Sequence, residues 1–500
     1  MLELDGQRLS LQQVADVANG REQVTLAPRA RARVEESRRV VEQIVTEGRT
    51  VYGVNTGFGR LSDVSIQPSQ LRELQLNLVR SHACGLGAPL SEAEARAMLL
   101  MRANALASGY SGARASLIDT LIAMIEYGVV PVIPEKGSVG ASGDLAPLAH
   151  LALTVIGEGE AFYKGERVSG ADALRRARIE PLRLEVKEGL ALLNGTQAMA
   201  AVGGLALQRA ETLVRVADVA GAMTLEALRG TPVAFDERIH RARPHPGQVN
   251  VASHLRELLR DSEIRSSHLE NDPRVQDAYS LRCMPQVHGA VRGALNHARE
   301  IVETETGSAT DNPLVFPDTG EVLSGGNFHG APLALAFDYA AMALTDLMSI
   351  SERRVDRLVN PDLNDDLPPF LTATPGTSSG FMMLQVAAVA LLSEAKVLSH
   401  PASTDNVPTD GGKEDHVSMG MTAATKLRSI VDNAEMVTAI ELISAAEALE
   451  YRKPLTPGRG VKQAYEIVRS FVAPLTGDRS MSSDIQKVAK AIRADEFSLL

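Results

Sequence analysis

One stretch, Ala331–Val359, limits what this chain can fold into more than any other. Its residues favour helix, and between Leu333 and Leu344 only Asp338 and Tyr339 carry polar groups. Pro332 stands at its start, where a missing N–H costs nothing. A single helix here would run about 43 Å at about 1.5 Å per residue. A helix apolar on several faces must be surrounded by others, as in the centre of a bundle. Residues 205–228, 284–305, 381–398 and 417–451 are further helix-favouring, mostly alanine-rich stretches able to surround it. In the last of them Leu427, Ile430, Val431, Ala434 and Val437 make one apolar stripe at helical spacing.

The first 200 residues read differently. Tyr52 to Gly59 holds too many glycines for a helix and predicts a loop. A second loop, 84–89, leads to Ser91, whose spacing to Glu94 is that of a capping box before a helix over Glu92–Ala107. Pro131 limits residues 129–133 to a short or edge strand, and 162–168 suggests a hairpin around Gly165. The expected architecture is mainly α: a loop-rich N-terminal part over residues 1–200 and a long-helix bundle over 201–500, forming one continuous unit. No fixed-period repeat marks a solenoid.

Charge and cysteine narrow the function classes. With 51 basic and 62 acidic residues the formal charge is −11, which argues against general nucleic-acid binding. No uninterrupted apolar run of about 18 residues suggests a membrane span, and Met1 to Gly6 lacks a signal-peptide layout. Cys84 and Cys283 cannot form a disulfide framework, so a reducing cytoplasm is expected.

Familiar site types fit poorly. Asp410-Gly411-Gly412-Lys413-Glu414 fails as a phosphate loop on spacing and on the residue after lysine. Gly376-Thr377-Ser378-Ser379-Gly380 has no strand-rich surroundings and reads as a polar turn, not a nucleophile elbow. Glu414-Asp415-His416 points its side chains different ways, and no metal site is expected. Ala141-Ser142-Gly143-Asp144 stands out instead. Its plain reading is a small-residue turn, with Asp144 capping the helix that follows and Pro147 in its first turn.

In context, Gly137 to His150 resembles the signature of the aromatic amino acid ammonia-lyases. Further blocks follow in that family's order: Tyr52 to Gly59, Ser81-His82, Leu193 to Gln197, Gln276 to Arg282, Gly326 to Gly330 and Glu414 to Gly420. The resemblance covers nearly the whole chain. It implies a long-helix bundle of the aspartase/fumarase-like type and a homotetramer with shared active sites. It also implies that Ala141, Ser142 and Gly143 close into methylidene-imidazolone, with no soluble cofactor. Glycine suits that closure, because its amide nitrogen must reach the Ala141 carbonyl without a Cβ in the way.

The resemblance also assigns roles. Tyr52 would be the base, with Tyr279 sharing proton transfer. Arg282 would hold the substrate carboxylate, because a guanidinium fork matches it with two hydrogen bonds. Asn194 would donate to the imidazolone oxygen, and Gln276 and Phe328 would shape the pocket. His82 and Glu414 would contact the substrate ring. Ser81-His82 and Glu414 are similar to the histidine-specific branch, implying conversion of L-histidine to urocanate and ammonia. Lys413 departs from it, since that branch often carries glutamine there. Another aromatic lyase or aminomutase, and a catalytically silent helical assembly, are the competing expectations.

Overall fold

The computed structural model describes residues 1–270, 272 and 274–500, and it turns the apolar stretches into helices. These are Gln197–Ala227, Met284–Thr306, Ala331–Val359, Met382–Leu398 and Gly420–Glu450. The first begins well before the expected residue 205, because the pair Gly203-Gly204 continues the helix. Glycine serves close packing there: a Cβ on Gly203 would collide with the Phe337 ring, and one on Gly204 would press Leu11 and Val302. Ala331–Val359 is long and apolar enough by length and composition to cross a membrane, although no uninterrupted apolar run exists. Of its most apolar window, 67% is buried inside the protein, as a surrounded bundle helix requires.

The residues group into two compact units. One holds Met1–Gln208, Ala298–Asp338 and Pro401–Thr425; the other holds Arg209–His297, Tyr339–His400 and Lys426–Leu500. In the first unit Glu92–Ala107 is a helix with the expected capping box, Ser91 and Glu94 each bonding the other's backbone. Val129–Pro131 is an edge strand, paired antiparallel with Glu160–Tyr163, which turns through Lys164-Gly165 into Glu166–Ser169. Tyr52 to Phe58 forms neither helix nor strand, as its glycines require.

In the second unit the stripe Leu427, Ile430, Val431, Ala434 and Val437 is buried throughout. The same helix carries Glu441, fully buried, whose carboxylate accepts from Arg354 Nε at 2.5 Å and Nη2 at 2.9 Å. Thr224 and Ser351 donate to it as well. Removing one partner of such a pair strands a charge in the core. Glu441→Ala is therefore expected to destabilise the protein by about 3–5 kcal/mol in denaturant unfolding. A loss within ordinary surface range would contradict this account of the pair.

Candidate active site

The Ala141–Asp144 segment is shaped by backbone contacts from distant parts of the first unit. Gly143 has φ +76°, and a Cβ there would collide with the Gly195 carbonyl. That same carbonyl accepts from Asp144 N at 2.7 Å. On the other side, Ser418 Oγ donates to Gly140 O at 3.0 Å and Met419 N to Val139 O at 2.9 Å.

Asp144 stands at the N-cap position of Leu145–Val155, as its spacing suggests, but its carboxylate does not cap that helix. It accepts from Ser138 Oγ at 2.8 Å and from Met199 N at 2.8 Å, in the first turn of Gln197–Ala227. Burial pushes its carboxyl up to about 6, against the opposing effect of the Met199 and Ala198 N–H groups and the Ser138 hydroxyl. Gly330 and Gly420 lie so near Met199 that a Cβ on either would strike its sulfur. Three long helices thus begin around this loop. Their positive ends favour negative charge where they converge.

Of the residues expected at the site, Tyr52, His82, Ser142, Asn194 and Glu414 line one cavity of about 680 Å³. Ala141 and Gly143 are buried on either side of Ser142. Leu74, Leu78, Leu190 and Leu193 supply an apolar wall. Ser142 Oγ donates to Glu414 Oε1 at 2.7 Å, and Thr409 Oγ1 donates to Glu414 Oε2 at 2.6 Å. His82 ends the helix Leu71–His82, and its Nδ1 lies 2.9 Å from the Leu78 carbonyl. A carbonyl only accepts, so Nδ1 carries a proton, and in the neutral ring Nε2 is the acceptor.

Tyr52 is half-buried, and its pKa is raised. Burial is the main cause; a hydrogen bond with the Gly59 backbone opposes it, while the carboxylates of Asp410, Glu414 and Asp311 add to it. The lowered pKa that eases a tyrosine's work as a base is not what these surroundings provide. Asn194 Nδ2 donates to Asn312 O at 2.9 Å, while its Oδ1 is buried without a hydrogen-bond partner among the described residues. One of its amide hydrogens is therefore committed to the protein. The orphaned oxygen, the missing Cβ at Gly143 and the Ser142 hydroxyl in the cavity together fit a self-formed ring at residues 141–143.

The remaining expected residues do not line this cavity. Phe328 is half-buried just before Ala331–Val359, and Lys413 is exposed. Gln276, Tyr279 and Arg282 belong to the second unit. There Gln276 is exposed and Tyr279 is 72% exposed, with the Arg282 guanidinium 4.4 Å above its ring. The segment is anchored from within: buried Asp277 accepts from Thr231 N at 2.7 Å, and Ser280 O accepts from Arg354 Nη1 at 3.4 Å. Sequence reasoning missed Asp410, which lines the cavity and accepts from Arg60 N at 3.0 Å. Its only signal was the Asp-Gly-Gly turn set aside as a failed phosphate loop.

Comparison with known proteins extends this geometry. The family model described as "Aromatic amino acid lyase" matches residues 9–470. The histidine ammonia-lyase of Myxococcus xanthus (strain DK1622) is 55% identical over 494 residues, covering 99% of this chain and 97% of that protein. Histidine ammonia-lyase from Trypanosoma cruzi superposes with a TM-score of 0.92 at 43% identity, over 99% of this chain and 94% of that one. Tyrosine aminomutase from Streptomyces globisporus gives a TM-score of 0.94 at 39% identity, over 100% and 98%.

Proposed function

The chain belongs to the aromatic amino acid lyase family, and on that premise we propose that it eliminates ammonia from L-histidine, without oxidation, to give urocanate. The observation that carries this reading is a single cavity that gathers Ser142 of the Ala-Ser-Gly segment with Tyr52, Asn194, His82 and Glu414. Closed on themselves, residues 141–143 would form methylidene-imidazolone, which supplies an electrophile for the substrate's amine; no soluble cofactor is invoked. Around it, Tyr52 removes the β-proton, and Tyr279 shares in proton transfer. Asn194 keeps one amide hydrogen for the imidazolone oxygen. Arg282 receives the substrate carboxylate through its guanidinium fork.

His82 Nε2 and the Glu414 carboxylate are both acceptors, which suits a ring bearing N–H. With the Ser142 hydroxyl gone, a phenyl ring would leave His82 Nε2 and Glu414 Oε1 unpaired, while Thr409 still bonds Oε2, and a site built on hydrogen bonds rejects such analogues strongly. Glu414→Gln is expected to lower kcat/KM for histidine by about 10- to 100-fold, the value of a hydrogen bond to a charged group. Unchanged kinetics would remove Glu414 from the pocket assignment.

Gln276 and Tyr279 are exposed on their own unit and the half-buried Arg282 stacks on Tyr279; we assign the three, with Phe328 shaping the wall, to sites shared between copies in a homotetramer. Cys84 and Cys283 are free, which supports a cytoplasmic setting. The resemblance to an aminomutase structure favours one second reading, in which ammonia is returned to the β-carbon. The purified chain, incubated in turn with L-histidine, L-tyrosine and L-phenylalanine, separates these readings by product analysis. Urocanate plus ammonia from histidine is the expected result. A β-amino acid product, or turnover of the other substrates alone, would overturn the proposed activity.

A further inference from the structure

Gly143 leans on Gly195, and Gly195 leans on a buried cation. Arg102 lies in the helix Glu92–Ala107 and is wholly buried. Its Nη1 donates to the Asn194 carbonyl and to Gln197 Oε1 at 2.9 Å, and Gln197 Nε2 donates in turn to Thr310 Oγ1 at 2.9 Å. These groups pack directly on Gly195: a Cβ there would lie 2.6 Å from Arg102 Nη1 and 2.7 Å from Thr310 Oγ1. The Asn194 side chain is gripped from its other end. Nδ2 bonds Asn312 O, Asn312 N donates to Asp311 Oδ1 at 2.7 Å, and Asp311 Oδ2 accepts from Lys187 Nζ at 2.8 Å, a fully buried pair.

A guanidinium is a costly choice for this position. Arg102 Nε and Nη2 have no hydrogen-bond partner among the described residues, and burial pulls its pKa down to about 10. An aliphatic side chain would fill the same helix face without that desolvation. What the cation does that an aliphatic group cannot is fix the Asn194–Gly195 peptide by its carbonyl.

We propose that Arg102 is a positioning residue for ring closure at Ala141–Gly143, holding the Asn194–Gly195 backbone as the stop against which Gly143 is pressed. This rests on the prosthetic-group reading above. Closure forms a bond from Gly143 N to the Ala141 carbonyl carbon. The Ala141 oxygen leaves as water, taking the N–H hydrogens of Gly143 and Ser142, and a C=N bond remains between Ala141 C and Ser142 N. A second water takes the Ser142 hydroxyl and its Cα hydrogen, leaving the exocyclic double bond. The first step needs Gly143 N close to the Ala141 carbonyl, so a relaxed stop slows it. A displacement of about 1 Å at a reacting centre costs on the order of 100-fold.

The test is peptide mass spectrometry over residues 137–150, timed from synthesis, on wild type, Arg102→Gln and Arg102→Lys, with thermal melting alongside. Wild type that never loses two waters would sink the prosthetic-group reading itself. With wild type dehydrated, the proposal expects Arg102→Gln to melt cooperatively yet lose its waters about 100-fold more slowly, with Arg102→Lys in between. Arg102→Gln that dehydrates at the wild-type rate overturns it. Should Arg102→Gln fail to fold, Arg102→Lys decides: slower dehydration in a folded chain supports the role, and an unchanged rate overturns it.

Discussion

Ser142→Ala is expected to leave a folded protein whose 137–150 peptide never loses the second water and whose turnover falls by about 10³-fold or more. Folding is spared because Ser142 is only half-buried and its hydroxyl bonds Glu414 alone among the described partners. Losing that bond costs on the order of 1 kcal/mol. The chemistry is not spared. Alanine has no hydroxyl to lose, so the exocyclic double bond cannot form. Activity within tenfold of wild type, in a chain that has not lost the second water, would show that elimination here runs without the electrophile.

The second large effect concerns the proposed base. Tyr52→Phe is expected to lower kcat by about 10²- to 10⁴-fold while the 137–150 peptide still loses two waters. The direction of the Tyr52 pKa adds a signature. Burial, reinforced by the carboxylates of Asp410, Glu414 and Asp311, raises it, so the phenolate is scarce near neutral pH. The phenolate fraction grows about tenfold per pH unit below that pKa, and kcat/KM should climb with it on the alkaline side. In Tyr52→Phe the climb should vanish. A profile that rises identically in the variant would assign the titration, and the proton, to another group.

How much of this was legible beforehand depended on the distance between interacting residues. Glu92–Ala107 was readable because its capping box lies within four residues. The 160–169 hairpin was readable because its turn is local. The long helices followed from composition, yet Gln197 was missed as a start, since Gly203-Gly204 weakens the local signal and the packing that rewards it comes from Leu11, Val302 and Phe337. Asp144 shows the same limit. Its position promised a cap for its own helix, but its carboxylate serves a helix that begins at Gln197, a partner that spacing cannot reveal. Of the expected site, Tyr52, His82, Ser142, Asn194 and Glu414 meet in one cavity, although they lie far apart in the chain. Arg102 gave no signal, because an arginine in an alanine-rich helix looks like a solvated one.

The Ser142–Glu414 hydrogen bond sets a timetable. In a newly made chain each Glu414 oxygen already accepts from a hydroxyl, one from Ser142 and the other from Thr409. On the proposed reading, dehydration removes the Ser142 donor and hands one oxygen back to the cavity for the substrate ring. Recognition then ripens only as the chain completes its own chemistry. Immature copies would be poor competitors for histidine, and a mixed preparation would show fewer binding sites per chain, not weaker ones.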